Sequence, residues 1–158
     1  MDLHENLKGK TVVIRGGSGI LCREFAYAYA KQGMNVAVLG RTLSKLEEVR
    51  DKINELGGNG LAVVCDVVDK DSVINAKKVV NDTFGKVDIL VNGAGGNHPK
   101  GTTTKEYFEK GDIENPDVVS FFDLSKENFN YVFDLNIVGT LIPTQVFIVD
   151  MLDNHGAN

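Results

Sequence analysis

The stretch KTVVIRGGSGILCREFAYAYAKQG, residues 10–33, decides how this chain folds. A β-branched run, Thr11-Val12-Val13-Ile14, stops at the cluster Gly16-Gly17-Ser18-Gly19. Apolar residues then resume at helical spacing, with Leu21, Phe25 and Ala28 on one face and Arg23, Glu24 and Lys31 off it. This is the pattern of a strand, a tight turn and a helix. Glycine suits such a turn because a Cβ would block positive φ angles and keep a ligand away from the backbone N–H groups. The helix that follows aims its positive N-terminal end at whatever rests on the turn, which favours a pyrophosphate. Gly17-Ser18-Gly19-Ile20-Leu21-Cys22 reads as G-x-G-x-x with Cys where the dinucleotide fingerprint prefers Gly or Ala. Cysteine is still small, so close packing of helix on strand is expected to be weakened but not lost, and its expected role is packing.

The pattern repeats downstream. Asn35-Val36-Ala37-Val38-Leu39 forms a second apolar run that ends at Gly40-Arg41. Ser44-Lys45-Leu46-Glu47 fits a capping box, and Leu46, Val49, Ile53 and Leu56 carry the helical spacing to Gly57-Gly58. A third run, Leu61-Ala62-Val63-Val64-Cys65, ends at Asp66 and leads to a helix with Val73, Ala76, Val80 and Phe84 on one face. A fourth run, Val87-Asp88-Ile89-Leu90-Val91, meets Asn92-Gly93-Ala94-Gly95-Gly96. Near-continuous apolar strands alternating with amphipathic helices predict a doubly wound parallel α/β sheet. The expected strands lie near 11–15, 35–39, 61–65 and 87–91, in spatial order 3-2-1-4 with right-handed crossovers.

From residue 97 to 124 the period is lost, and a mobile excursion beside the cleft is expected there. Ser125 is the predicted N-cap of a last helix carrying Phe129, Val132, Phe133, Ile137 and Leu141. Pro143 should kink or split that helix near Gly139-Thr140. The tail from Asp153 onward reads as a helix stop.

At 158 residues the chain has the length of one domain. Its formal net charge of −5 and lack of a basic stripe argue against a nucleic-acid partner. Cys22 and Cys65 each fall in apolar surroundings and read as reduced core residues of a cytoplasmic protein, neither a disulfide nor a metal site. The opening residues show no signal peptide, and the expectation is that no apolar run reaches membrane-spanning length.

Taken together, the glycine turn at Gly16 to Cys22, Asp66 after the third strand, Asn92-Gly93-Ala94-Gly95 after the fourth and Asn136 in the last helix resemble the short-chain dehydrogenase/reductase family. The similarity runs from about Leu7 to about Leu152. The strings GGSGILC, NGAGGNHPK and FDLNIVGTLIPTQVF resemble a subgroup that interconverts sugar acids such as D-mannonate and D-fructuronate. The resemblance implies a Rossmann-like fold, an NAD(P) cofactor, a sugar-acid substrate and a homodimer or homotetramer joined partly through the face bearing Phe129 and Phe133. By the same resemblance Gly16, Gly17, Ser18, Gly19 and Ile20 surround the pyrophosphate, and Asp66 with Val67 faces the adenine. Asn92, Gly93 and Ala94 lie along the cofactor ribose, and Asn136 anchors a water in the family's proton relay.

Two departures stand out. The family commonly places Thr before the first glycine, and here that position is Arg15, which could disturb the turn or contact a phosphate. The family's Ser and Tyr-x-x-x-Lys lie on a strand and helix beyond the equivalent of Asn158, and none of the four tyrosines here is taken as their counterpart. Carbonyl reduction needs such a phenol to donate a proton. The 158 residues alone are therefore expected to be inactive. They read as an excerpt of a longer protein, or as a non-catalytic dinucleotide-binding or assembly fragment whose fourth strand exposes a bare edge.

Individual positions keep two readings. Arg41 could pair with a 2′-phosphate, giving an NADP preference with NAD still possible, or be a solvated loop residue. Asp66 could contact adenine, cap a helix, or do both. Asn136 could serve the relay or be an ordinary helix polar residue. His98, Lys100 and Thr102-Thr103-Thr104 are weaker candidates for the substrate, since a lone loop His is usually just exposed. Glu47-Glu48 with Arg50-Asp51-Lys52 reads as a solvated helix face.

Overall fold

The computed structural model describes residues 4–152, and the expected helix stop from Asp153 onward lies outside them. Four parallel strands form one sheet in the order β3-β2-β1-β4: β1 Thr11–Arg15, β2 Asn35–Gly40, β3 Asn59–Val64 and β4 Ile89–Asn92. Register pairs Val13 with Ala37 and with Leu90, and Ala37 with Leu61. The doubly wound order expected from the apolar runs is the observed one. β3 starts two residues earlier than predicted, because the bare Gly60 lets the chain pass close to the Arg50 carbonyl, with an ideal Cβ there only 2.7 Å from that oxygen. β4 starts two residues later, because Asp88 is spent on bonds to the start of β1: its carboxylate accepts from the Thr11 amide at 2.8 Å.

Helices α1 Ile20–Ala30 and α2 Leu43–Glu55 cover one face of the sheet, and α3 Lys70–Phe84 with α5 Gly139–Phe147 covers the other. Val12 and Ile14 point to the first layer, Val13 to the second, and all three are fully buried. Burying each such side chain contributes about 1.5–3 kcal/mol. The predicted faces of α2 and α3 are the buried ones, as Leu46, Val49, Ile53, Val73, Ala76 and Val80 show.

The α1 face is a correction. Leu21 and Phe25 are 66% and 42% exposed, and the helix rests on Cys22, Ala26 and Ala30 instead. Small residues bring the helix axis close to the sheet beneath the glycine turn, where Leu or Phe would hold it off. The capping box at Ser44 is also corrected. The N-cap of α2 is Thr42, which makes no side-chain cap bond. The charged run on α2 is solvated as expected, with Arg50 paired to Glu47 and Asp51 on the surface.

Ser125 caps α4 (Lys126–Phe133), accepting from the Asn128 amide. A π turn, Asp134–Val138, joins α4 to α5, so the interruption falls at the expected Gly139 boundary. The predicted apolar face of this helical run is outward: Phe129, Phe133, Ile137 and Leu141 are each at least half exposed, while Gly139, Pro143 and Phe147 are buried. The run Lys126–Asp150 is also long and apolar enough to cross a membrane by length and composition, contrary to the sequence expectation. Its inner side is nevertheless committed to polar contacts with the sheet layer. Lys77 of α3 bonds the Val146 carbonyl and pairs with Asp150 at 2.6 Å, and Asp150 accepts from the Val87 amide.

Residues 97–124 are more ordered within themselves than a structureless loop. Thr104 and Val119 bond each other in both directions, and Lys105 bridges Glu109 and Asp112. Gly101 rests on α4, where an added Cβ would meet Val132.

Asp150 gives this packing a pH dependence. Burial alone would raise its carboxyl, but bonds from Lys77, the Val87 amide and Asn81 outweigh it and hold the group below its ordinary value. The stability it contributes is therefore present above the unfolded carboxyl's value of about 3.9 and is lost as pH falls through the lower folded value. Asp150→Asn should lower Tm at pH 6–7, and the gap to wild type should close below about pH 3 in thermal melts.

Candidate cofactor site

The glycine turn hangs from the end of β2. Gly16 and Gly17 both donate to the Leu39 carbonyl, at 2.8 and 3.2 Å, and Gly19 donates back to Gly16 at 2.8 Å. Gly16 has a φ of 71°, and a Cβ on it would stand 2.8 Å from the Ala94 Cα. A Cβ on Gly17 would be 2.6 Å from the Val38 Cβ. Glycine is required at both positions for close approach, and at the first for its backbone angle as well. Gly19 is the N-cap of α1, which leaves the first amides of that helix without intrahelical acceptors.

Over this turn opens a cavity of about 450 Å³. Of the predicted residues, Gly16, Ser18, Gly19, Arg41, Asp66, Val67, Gly93 and Ala94 line it. Gly17 lies behind the turn against Val38, and Ile20 points out at 80% exposure. Asn92 turns its amide to Thr144 of α5 at 3.0 Å. Asn136 clamps Gly96, donating to its carbonyl at 2.8 Å and accepting from its amide at 3.2 Å, while its own carbonyl accepts from the Thr140 hydroxyl. Asn92 and Asn136 thus hold the turn after β4 against the helical run and do not line the cavity.

Asp66 does not cap α3. That role belongs to Asp69, which accepts from the Asp71 and Ser72 amides. Asp66 is exposed and accepts from the Val68 amide at 3.2 Å, which shapes the rim just after β3.

The sequence reading missed one wall entirely. Tyr131, Asp134 and Leu135, from α4 and the π turn, face the glycine turn across the cavity. Their signal was spacing, since Tyr131 and Leu135 are four residues apart and Leu135 directly precedes Asn136. Lys45 was missed too, although it lies in the first turn of α2, four residues after Arg41, and both line the cavity from exposed positions. His98 is half-buried with its ring 5.0 Å from that of Tyr131, just behind the wall. Thr103 and Thr104 are used inside the 97–124 segment, and the Lys100 expectation lies outside the described side chains.

Tyr27 stands four residues before Lys31, the spacing of the family's catalytic pair. Both lie toward the far end of α1 from the glycine turn, and Tyr27 packs on the core between α1 and α2. The pair is not part of the cavity. Among the described residues, no group of three or more His, Cys, Asp or Glu side chains is placed to hold a metal ion.

The short chain dehydrogenase profile matches residues 10–158. The chain belongs to that family. It is 45% identical to the uncharacterized oxidoreductase UxuB of Bacillus subtilis (strain 168) over 150 residues, covering 95% of this chain and 52% of that protein. It is 39% identical to an uncharacterized oxidoreductase of Haemophilus influenzae, covering 98% of this chain and 54% of that one. A solved Haemophilus structure with bound NAD, whose assignment as a D-mannonate oxidoreductase is provisional, superposes with a TM-score of 0.90 at 39% identity. It covers 96% of this chain and 54% of that one. The chain thus spans about half the length of the relatives it matches.

Within this family member the third fingerprint position is Cys22, and its fit is visible. Its Sγ occupies the space a Gly93 Cβ would need, 2.1 Å from that ideal position. Burial pushes the Cys22 thiol up, against the opposing pull of the nearby Arg15 charge. It is a packing residue, as expected. Gly93→Ala should destabilise the protein by about 1–3 kcal/mol through overpacking. Cys22→Gly in the same chain should recover much of that loss, which a double-mutant denaturation cycle would measure.

Proposed function

We propose that the protein is an NAD(P)-dependent oxidoreductase that transfers hydride between a nicotinamide cofactor and a sugar acid such as D-mannonate or D-fructuronate. The observation that carries the reading is the cavity over the glycine turn, bounded by the ends of all four parallel strands and the π turn. Its chemistry fits a dinucleotide. Bare backbone at Gly16 and Gly19 leaves room for a pyrophosphate, Asp66 and Val67 line the side assigned to adenine, and Gly93 and Ala94 the side assigned to ribose. When bound, the nicotinamide supplies the hydride. This chain's residues bind and orient the cofactor, and Asn136 fixes the β4 turn while presenting its carbonyl within the helical run.

The sugar-acid class rests on the subgroup resemblance and on the provisional assignment of the Haemophilus neighbour. A proton donor is the remaining requirement of the reaction, and in the family it is the Tyr of Tyr-x-x-x-Lys. A second reading is a dinucleotide-binding or assembly module, in which the cavity binds a dinucleotide without turnover. Turnover of D-fructuronate with NADH or NADPH by the full-length protein separates the two. We further propose a cytoplasmic homo-oligomer joined through the exposed strip of Phe129, Phe133, Ile137 and Leu141, since so continuous an apolar surface favours a second copy.

For the cofactor we propose a preference for NADP, with NAD as the alternative bound by the Haemophilus neighbour. Gly40 leaves no carboxylate at the end of β2, and Arg41 with Lys45 offers two cations on the same rim. Both are exposed, so each contact with a 2′-phosphate is expected to give only about 0.2–1 kcal/mol. The resulting preference for NADPH over NADH should be no more than about thirtyfold. Arg41→Ala should remove most of it, and Gly40→Asp should reverse it. Calorimetric titration of both cofactors checks this, and equal affinities in wild type would assign Arg41 to the solvated surface.

A further inference from the structure

Arg15 is 1% exposed and has no carboxylate partner among the described residues. Its Nη1 donates to the carbonyl of Gly139, 124 residues away, and its Nε has no partner among them. A buried guanidinium spent on one neutral carbonyl is an expensive arrangement, and burial lowers its pKa accordingly. The reason it persists lies four residues further along α5. In an α-helix the Gly139 carbonyl would accept from the amide of residue 143, and that residue is proline, which has none. Pro143 orphans this carbonyl inside the protein, and Arg15 supplies the missing donor.

Gly139 is also where the π turn closes. Its amide reaches back five residues to the Asp134 carbonyl, the wide bond that lets Asp134 and Leu135 face the cavity. A Cβ here would lie 3.0 Å from Arg15 Nη1 and 3.1 Å from Val67, so a bare backbone is needed for the guanidinium to arrive. Arg15 itself is the last residue of β1, directly before Gly16 of the turn, and its own carbonyl accepts from the Gly93 amide. One side chain therefore ties the glycine-turn wall of the cavity to its π-turn wall.

We infer that Arg15 and Pro143 are a matched pair, and that Arg15 is a positioning residue which sets the separation of the two cavity walls through the Gly139 carbonyl. This rests on the dinucleotide reading of the cavity. Arg15 acts through the backbone of the π turn and does not itself line the cavity.

A double-mutant cycle tests the pair in the full-length protein, using Arg15→Met, Pro143→Ala and the two combined. Arg15→Met leaves the carbonyl orphaned, so amide exchange at residues 138–140 should accelerate in the unliganded protein. The Kd for NADH should rise by about tenfold. In the double variant the Pro143→Ala substitution restores a backbone donor, and both readouts should return to within about threefold of wild type. A purely structural Arg15 would lower Tm and leave the Kd of the folded fraction unchanged, which overturns the proposal. So does a double variant no better than Arg15→Met, including the case where neither folds. If wild type binds no NADH while the exchange pattern follows the cycle, the pairing stands and the dinucleotide reading fails.

Discussion

Bare glycines at the carboxyl edge of the sheet let the turn after β1, strand β2, the turn after β4 and helix α1 approach one another closely, and that close approach governs the rest of the structure. Gly16 lies against Ala94, Gly17 against Val38, and Gly93 against the Cys22 sulfur. A methyl group at any of the three would force the strands or α1 apart, at a cost of about 1–3 kcal/mol each. Because the segments touch, the strand ends lie level and the helix start sits over the turn. The open space above them is the cavity lined by Gly16, Ser18, Gly19, Gly93 and Ala94. The cavity is a consequence of this packing, and α1 must rest on Cys22, Ala26 and Ala30 to permit it.

The sheet was legible because its determinants are local. Four apolar β-branched runs separated by helical periods specify parallel strands, and right-handed crossovers leave few orders to choose from. The α1 face was misread for a physical reason: period alone favours Leu21 and Phe25, whereas the tight turn demands small residues against the sheet. The outward Phe129, Phe133, Ile137 and Leu141 mislead in the same way, because apolar residues at helical spacing need not face this chain's own core.

The candidate site was legible in part. The glycine turn, Asp66 and the Gly93-Ala94 pair follow strand ends, and strand ends can be read from sequence. The π-turn wall could not be read that way, since the wide turn depends on Pro143 withholding an amide and on Arg15 arriving from 124 residues away. Arg15 looked like a flaw beside the first glycine and is instead the link between the two walls. The family relationship fits this division of labour, because the chain carries strands, turn and cavity walls suited to a dinucleotide while spanning about half the length of its relatives.

The central claim is that the cavity over the glycine turn receives a nicotinamide dinucleotide. Titrating NADH into isotope-labelled protein and following backbone amide resonances tests it most directly. The account predicts saturable shifts concentrated at Gly16, Gly19, Asp66, Val67, Ala94 and Leu135, with residues 103–121 unmoved. Saturable shifts confined to 103–121, or none at the glycine turn at millimolar cofactor, would contradict it.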